Sequence, residues 1–155
     1  MKPINEKGVT LIELVVVFVI IAILSVLMVP NIGTWLPRYR LKSATRDVVS
    51  TLRMAQMRAV STNLQYGVDF NVAGNFYNVQ YRTTSGTGPW VNEGATQNLP
   101  AGITFKSAVF GGGSQAVFNP NSSSSGGSVT LQNEKKKIQR SITVNPATGK
   151  TSTLD

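Results

Sequence analysis

The chain has 155 residues, with fifteen Lys and Arg against seven Asp and Glu, a formal net charge of +8, and neither histidine nor cysteine. The lack of histidine removes the commonest general base and metal ligand, and the lack of cysteine removes disulfides and thiolate chemistry. Beyond residue 30 the acids are Asp47, Asp69, Glu93, Glu134 and Asp155, too scattered for a hydrolase pair or a calcium loop, so no enzyme activity, cofactor or metal is expected.

The first element is a leader of eight residues, Met1 to Gly8, carrying Lys2 and Lys7. An apolar run follows at once. After Glu13 it holds no charge as far as Val29, and Ser25 alone interrupts it. Val9 to Pro30 would extend roughly 33 Å as a helix, about the hydrocarbon thickness of a bilayer, and this predicts a transmembrane helix over 9–30. Glu13 is the anomaly, because a carboxylate inside a spanning segment costs about 2.5–3.5 kcal/mol. It calls for a cation. Cleavage after Gly8 would create one, the α-amino group of Val9, which a neighbouring copy could supply.

Pro30 and Gly33 are predicted to bend or loosen the chain, since proline lacks a backbone donor and clashes with the preceding turn. From about 36 to 63 the apolar positions Leu41, Ala44, Thr45, Val48, Leu52, Ala55 and Ala59 fall in a stripe roughly 100° wide, which predicts an amphipathic helix. Beside that stripe lie Arg38, Lys42, Arg46 and Arg53. They form either a ridge for anionic headgroups and neighbouring copies or an ordinary solvated face. Arg40 and Arg58 fall on another face.

After Asn63 the period changes to two. Leu64 to Phe70 and Phe76 to Tyr81, joined through Ala73-Gly74-Asn75, read as a β-hairpin. Further strands are predicted near 102–107, 115–119, 128–132, 139–144 and 151–154, with turns over 83–89 and 111–113. The Ser-rich stretch 121–127 has the composition of a mobile loop. The fold class expected is α+β, one long N-terminal helix on an antiparallel sheet, with a β-rich region of about 64–155 inside a single domain of 31–155.

A short basic leader, Gly8, the apolar helix and Glu13 as fifth residue after the cut resemble the class III signal of the type IV pilin and type II secretion pseudopilin superfamily. The resemblance implies that a prepilin peptidase cuts between Gly8 and Val9 and N-methylates Val9. It implies that Glu13 neutralises the amino terminus of the adjacent subunit, and that Pro30 occupies the family's helix-breaking position. Val9 departs from the usual phenylalanine.

The soluble half is similar to the GspH/FimT group of minor pilins and minor pseudopilins. The stretches concerned are Val117-Phe118-Asn119-Pro120, Ser128 to Leu131, Arg140 to Val144 and Ala147 to Lys150, together with the helix motif Leu52 to Ala59. The C-terminal disulfide loop of many major pilins and the acidic calcium ligands of major pseudopilins are both missing, which supports a minor subunit. The function this implies is a minor structural subunit of a type II secretion or type IV pilus filament. It would sit in the bacterial inner membrane by a single pass, with its domain in the periplasm, before entering the filament. The partners implied are other subunits, the prepilin peptidase, the inner-membrane assembly platform and membrane lipid.

A competing reading is a FimT-like subunit that binds DNA during natural transformation. Relatives in that branch use a Gly-Arg-x-Arg pattern, where this chain has Gly149-Lys150-Thr151-Ser152. Lys135, Lys136, Lys137 and Arg140 would join Lys150 if 139–144 pairs with 151–154. The alternative for that cluster is a solvated Lys-rich turn, and a third reading of the chain is an anchored domain that never polymerises.

Overall fold

The computed structural model describes residues 8–28, 32–84 and 86–154. The chain forms two compact units, Met1–Leu36 and Pro37–Asp155. Helix α1, Leu11–Met28, belongs to the first unit. It starts at Thr10, whose hydroxyl accepts from the Glu13 N–H at 3.3 Å and whose carbonyl accepts from the Leu14 N–H at 3.2 Å. First-turn N–H groups have no partner within a helix, so this cap sets the start. Val and Ile are mediocre helix formers in water, but in an apolar medium only a helix satisfies every backbone group within one segment. The one polar interruption follows the same rule, for the Ser25 hydroxyl donates to the Ile21 carbonyl at 2.7 Å.

Helix α2 runs Ile32–Thr62 and contains Pro37. It begins earlier than the periodicity indicated, because apolar spacing becomes legible only from Leu41. Gly33 lies in its first turn, and Pro30 lies outside the described residues. Asn63 ends the helix at φ 57°, the left-handed conformation in which asparagine commonly terminates helices.

The β-rich part holds two sheets where the sequence pattern suggested one. The first contains β1 (Tyr66–Asn71), β2 (Phe76–Arg82), β3 (Trp90–Asn98) and β5 (Gln115–Phe118), in the order β3-β2-β1-β5. The second contains β4 (Ile103–Phe110), β6 (Gly127–Asn133), β7 (Gln139–Val144) and β8 (Thr151–Leu154), in the order β4-β6-β7-β8. All pairings are antiparallel. The predicted stripe of α2 is buried throughout and shares one core with Val68, Phe70, Phe118, Val129, Leu131, Ile142 and Val144 from both sheets. Phe70 of β1 joins the sheets: its ring lies 5.4 Å from Phe105 and 5.7 Å from Phe110, both of β4.

Strand β3 has no apolar alternation, and its side chains are mostly exposed. Polar and aromatic contacts hold it instead. Arg82 lies over the Trp90 ring at 4.9 Å, Gln80 donates to Asn92 at 2.8 Å, and Arg58 of α2 pairs with Glu93. The Ser-rich stretch is pinned, contrary to its composition. Ser124 N–H donates to the Pro146 carbonyl and Ser125 N–H to the Val117 carbonyl, each at 2.8 Å, while the Ser124 hydroxyl reaches the Asn145 carbonyl at 3.0 Å. Composition missed this because the acceptors lie on segments distant in sequence.

Candidate functional site

Gly8, Val9 and Thr10 precede α1 in a non-helical, exposed segment. A Cβ on Gly8 would meet nothing within 4 Å. Glu13 stands in the first turn of α1 and is exposed. Thr10 and Glu13 have the spacing of a capping box, a signal present in the sequence but hidden inside the apolar pattern. The large apolar side chains from Val9 to Leu24 are 46–83 % exposed. Among the described residues of this unit no apolar partner covers them. Among the described residues no helix is long and apolar enough to cross a membrane. The 18 residues of α1 extend ~27 Å, short of a ~30 Å hydrocarbon core. The remainder of the predicted span, Val29 and Pro30, lies outside the described residues, as does the leader up to Lys7.

The second unit places the expected cluster of basic residues in three separate places. Strands β7 and β8 do pair, with Val144 opposite Thr151 and Ser141 opposite Leu154. The antiparallel sense then puts Lys150 beyond the Val144 end of β7, while Lys135, Lys136 and Lys137 lie beyond the Gln139 end. Five residue steps at ~3.4 Å separate those ends by about 17 Å. The expected five-cation cluster is therefore split. The lysine turn is locally built: Asn133 accepts from the Lys136 N–H through its side chain at 3.0 Å and from the Lys137 N–H through its carbonyl at 2.9 Å. Lys150 closes the other turn, where Asn145 N–H donates to its carbonyl at 3.0 Å. Gly149 at φ +63° lets that turn approach α2, and Gln56 donates to the Thr148 carbonyl at 2.9 Å.

Arg140 falls in with different company. Two-residue periodicity puts it on the same face of β7 as the buried Ile142 and Val144, toward α2. There it lines a groove of about 850 Å³ together with Lys42, Arg46 and Arg53 of the predicted basic ridge. The opposite wall comes from Thr151, Ser152 and Thr153 of β8. Sequence periodicity identified the ridge; it could not show which strand crosses beside it.

Away from the groove, the Glu93 carboxylate raises the Arg58 guanidinium further above its ordinary value by hydrogen bonding and charge. Burial pushes the Tyr77 phenol up from its usual value, partly offset by a hydrogen bond with Thr51. Neither group is arranged for chemistry, and among the described residues no three His, Cys, Asp or Glu side chains gather to hold a metal ion.

An amphipathic helix laid on two antiparallel sheets, with an apolar helix before it in the chain, defines a pilin-type structural subunit. A family model described as type II transport protein GspH matches residues 44–148, and the prokaryotic N-terminal methylation motif matches residues 4–29. The chain belongs to the GspH family, whose members are structural subunits of type II secretion or type IV pilus machinery and not enzymes. Such subunits are assembled on the membrane into periplasmic filaments. No curated protein matches the chain in sequence.

Among solved structures the fold is similar to the minor pseudopilin EpsH from the type 2 secretion system of Vibrio cholerae. The identity is 13 %, the TM-score 0.58, and the match covers 74 % of this chain and 96 % of that one. It is also similar to the type IV minor pilin FimU of Pseudomonas aeruginosa, at 19 % identity and a TM-score of 0.56, over 76 % of this chain and 90 % of the other.

Proposed function

We propose that this chain is a minor subunit that is cut between Gly8 and Val9, methylated on Val9, and assembled through its N-terminal helix. The helix would be held in the inner membrane over 9–30 until a filament takes it up. The observation that carries this reading is the character of α1: apolar on every side, exposed on every side, and charged only at Glu13. A protein does not leave such a surface in water, so lipid or other subunits must cover it. The non-helical, exposed bond after Gly8 is open to a peptidase, as extended segments generally are.

In that assembly the new α-amino group of Val9 on one subunit would meet Glu13 of its neighbour. Two opposite charges in a dry core stabilise it only when paired, which makes the contact a registration device. Pro30 and Gly33 would supply the place where the helix yields during assembly, and the assembly platform and peptidase would be transient partners. Intact-mass spectrometry of the membrane-extracted protein tests the proposal. The expected species lacks residues 1–8 and carries one added methyl group. Full-length protein from cells with an active prepilin peptidase would overturn it.

A further inference from the structure

We propose that the groove between α2 and β7–β8 docks an extended acidic segment of a neighbouring subunit, an inference that rests on the filament-subunit reading above. Its cations Lys42, Arg46 and Arg53 come from α2, with Arg140 of β7, far away in sequence, beside them, and among the described residues no carboxylate lines the groove. Guanidinium groups suit carboxylates because their planar donors match the two oxygens. Thr151 supplies an independent sign of a missing ligand. The residue is only 5 % exposed, it lines the groove, and its buried hydroxyl has no hydrogen-bond partner among the described residues. A buried hydroxyl left unsatisfied costs stability, which an incoming acceptor would recover.

Three features favour a peptide over a free oxyanion. Val49, Met54 and Met57 line the same groove, and a phosphate has no use for them while alternate side chains of a peptide do. Strand β8 ends its sheet, pairing with β7 on one side and, among the described residues, with no strand on the other, so it offers main-chain groups to an extended segment. The spacing also agrees. Lys42 and Arg46 are ~6 Å apart along the helix, close to the ~6.8 Å between alternate residues of a strand. From Lys42 to Met57 the wall extends ~22 Å, the length of about seven extended residues.

The test uses the full chain in a neutral detergent and a labelled heptapeptide alternating Glu and Val, followed by fluorescence anisotropy. The expected result is binding that weakens with salt and is absent for the Gln–Val counterpart. The combined variant Lys42→Gln, Arg46→Gln, Arg53→Gln, all at exposed positions, should bind at least about tenfold more weakly. Thr151→Val should weaken binding several-fold without lowering the melting midpoint, whereas a purely structural Thr151 would do the reverse. Equal binding of the Gln–Val peptide, or no peptide binding at all, overturns the proposal. So does duplex DNA binding more tightly than the peptide and being lost in the same triple variant, since the groove would then serve nucleic acid. Failure here with normal cleavage at Gly8–Val9 refutes the groove alone; absence of cleavage in the wild type refutes the filament reading.

Discussion

The helix α1 and the core of the second unit are both rich in apolar side chains, yet they solve opposite problems. From Leu41 to Ala59 most apolar residues of α2 keep to one stripe, which is buried in the core, while Val49, Met54 and Met57 face the groove beside it. In α1 they go all the way round, and among the described residues of that unit none covers them. One set makes its core from its own chain, and the other is left exposed. Burial in the folded subunit therefore measures stability in the second unit, and in the first it measures apolar surface that, in the function proposed above, assembly or membrane would cover.

Paired substitutions bring out that contrast. Phe70→Ala should destabilise the folded domain by about 3–5 kcal/mol, since its ring ties β1 to β4, while Ile20→Ala should leave the thermal midpoint of that domain unchanged. Circular dichroism melts of the two variants check this, and equal losses would erase the distinction. Glu13→Leu sharpens it from the other side. Domain stability should again be unchanged, but incorporation into filaments should fall, because an unpaired amino terminus in a dry core costs about 3–5 kcal/mol. Immunoblots of sheared filaments against membrane fractions read that outcome.

A smaller effect is expected where the second unit closes on itself. Gly149→Val puts a side chain at φ +63°, with a Cβ 2.6 Å from the Gln56 amide nitrogen. The left-handed backbone alone costs roughly 1–2 kcal/mol, visible as a lower midpoint in denaturant. The smallest effect concerns pH. Burial raises the Tyr77 phenol in the folded state, so its contribution is complete below the unfolded value near 10 and is lost as pH rises through the folded value. Tyr77→Phe should therefore show a shallower loss of stability from pH 9 upward, measured by denaturant titration at a series of pH values.

Local periodicity carried much of this protein into view. The apolar helix, the buried stripe of α2, the first hairpin and the spans of β7 and β8 follow from spacings of 3.6 and 2 residues, which report what each segment buries. The Thr10 cap escaped the reading of the sequence, because its three-residue spacing to Glu13 is hidden inside the apolar run. Strand β3 was not, because Trp90–Asn98 is held by contacts from Arg58, Gln80 and Arg82 and buries little. The Ser-rich stretch misled for the same reason, as its donors find carbonyls of Val117 and Pro146.

By itself the sequence determined which faces are apolar, that histidine and cysteine are missing, and that the first helix is apolar all the way round. Tertiary structure alone decided that the strands divide into two sheets, that Lys150 stands at the far end of β7 from the lysine turn, and that Arg140 shares a groove with Lys42, Arg46 and Arg53. The reason is physical. Periodicity is a property of one segment and its own burial, whereas partnership depends on strand order and antiparallel sense. Those are settled only when the whole core closes.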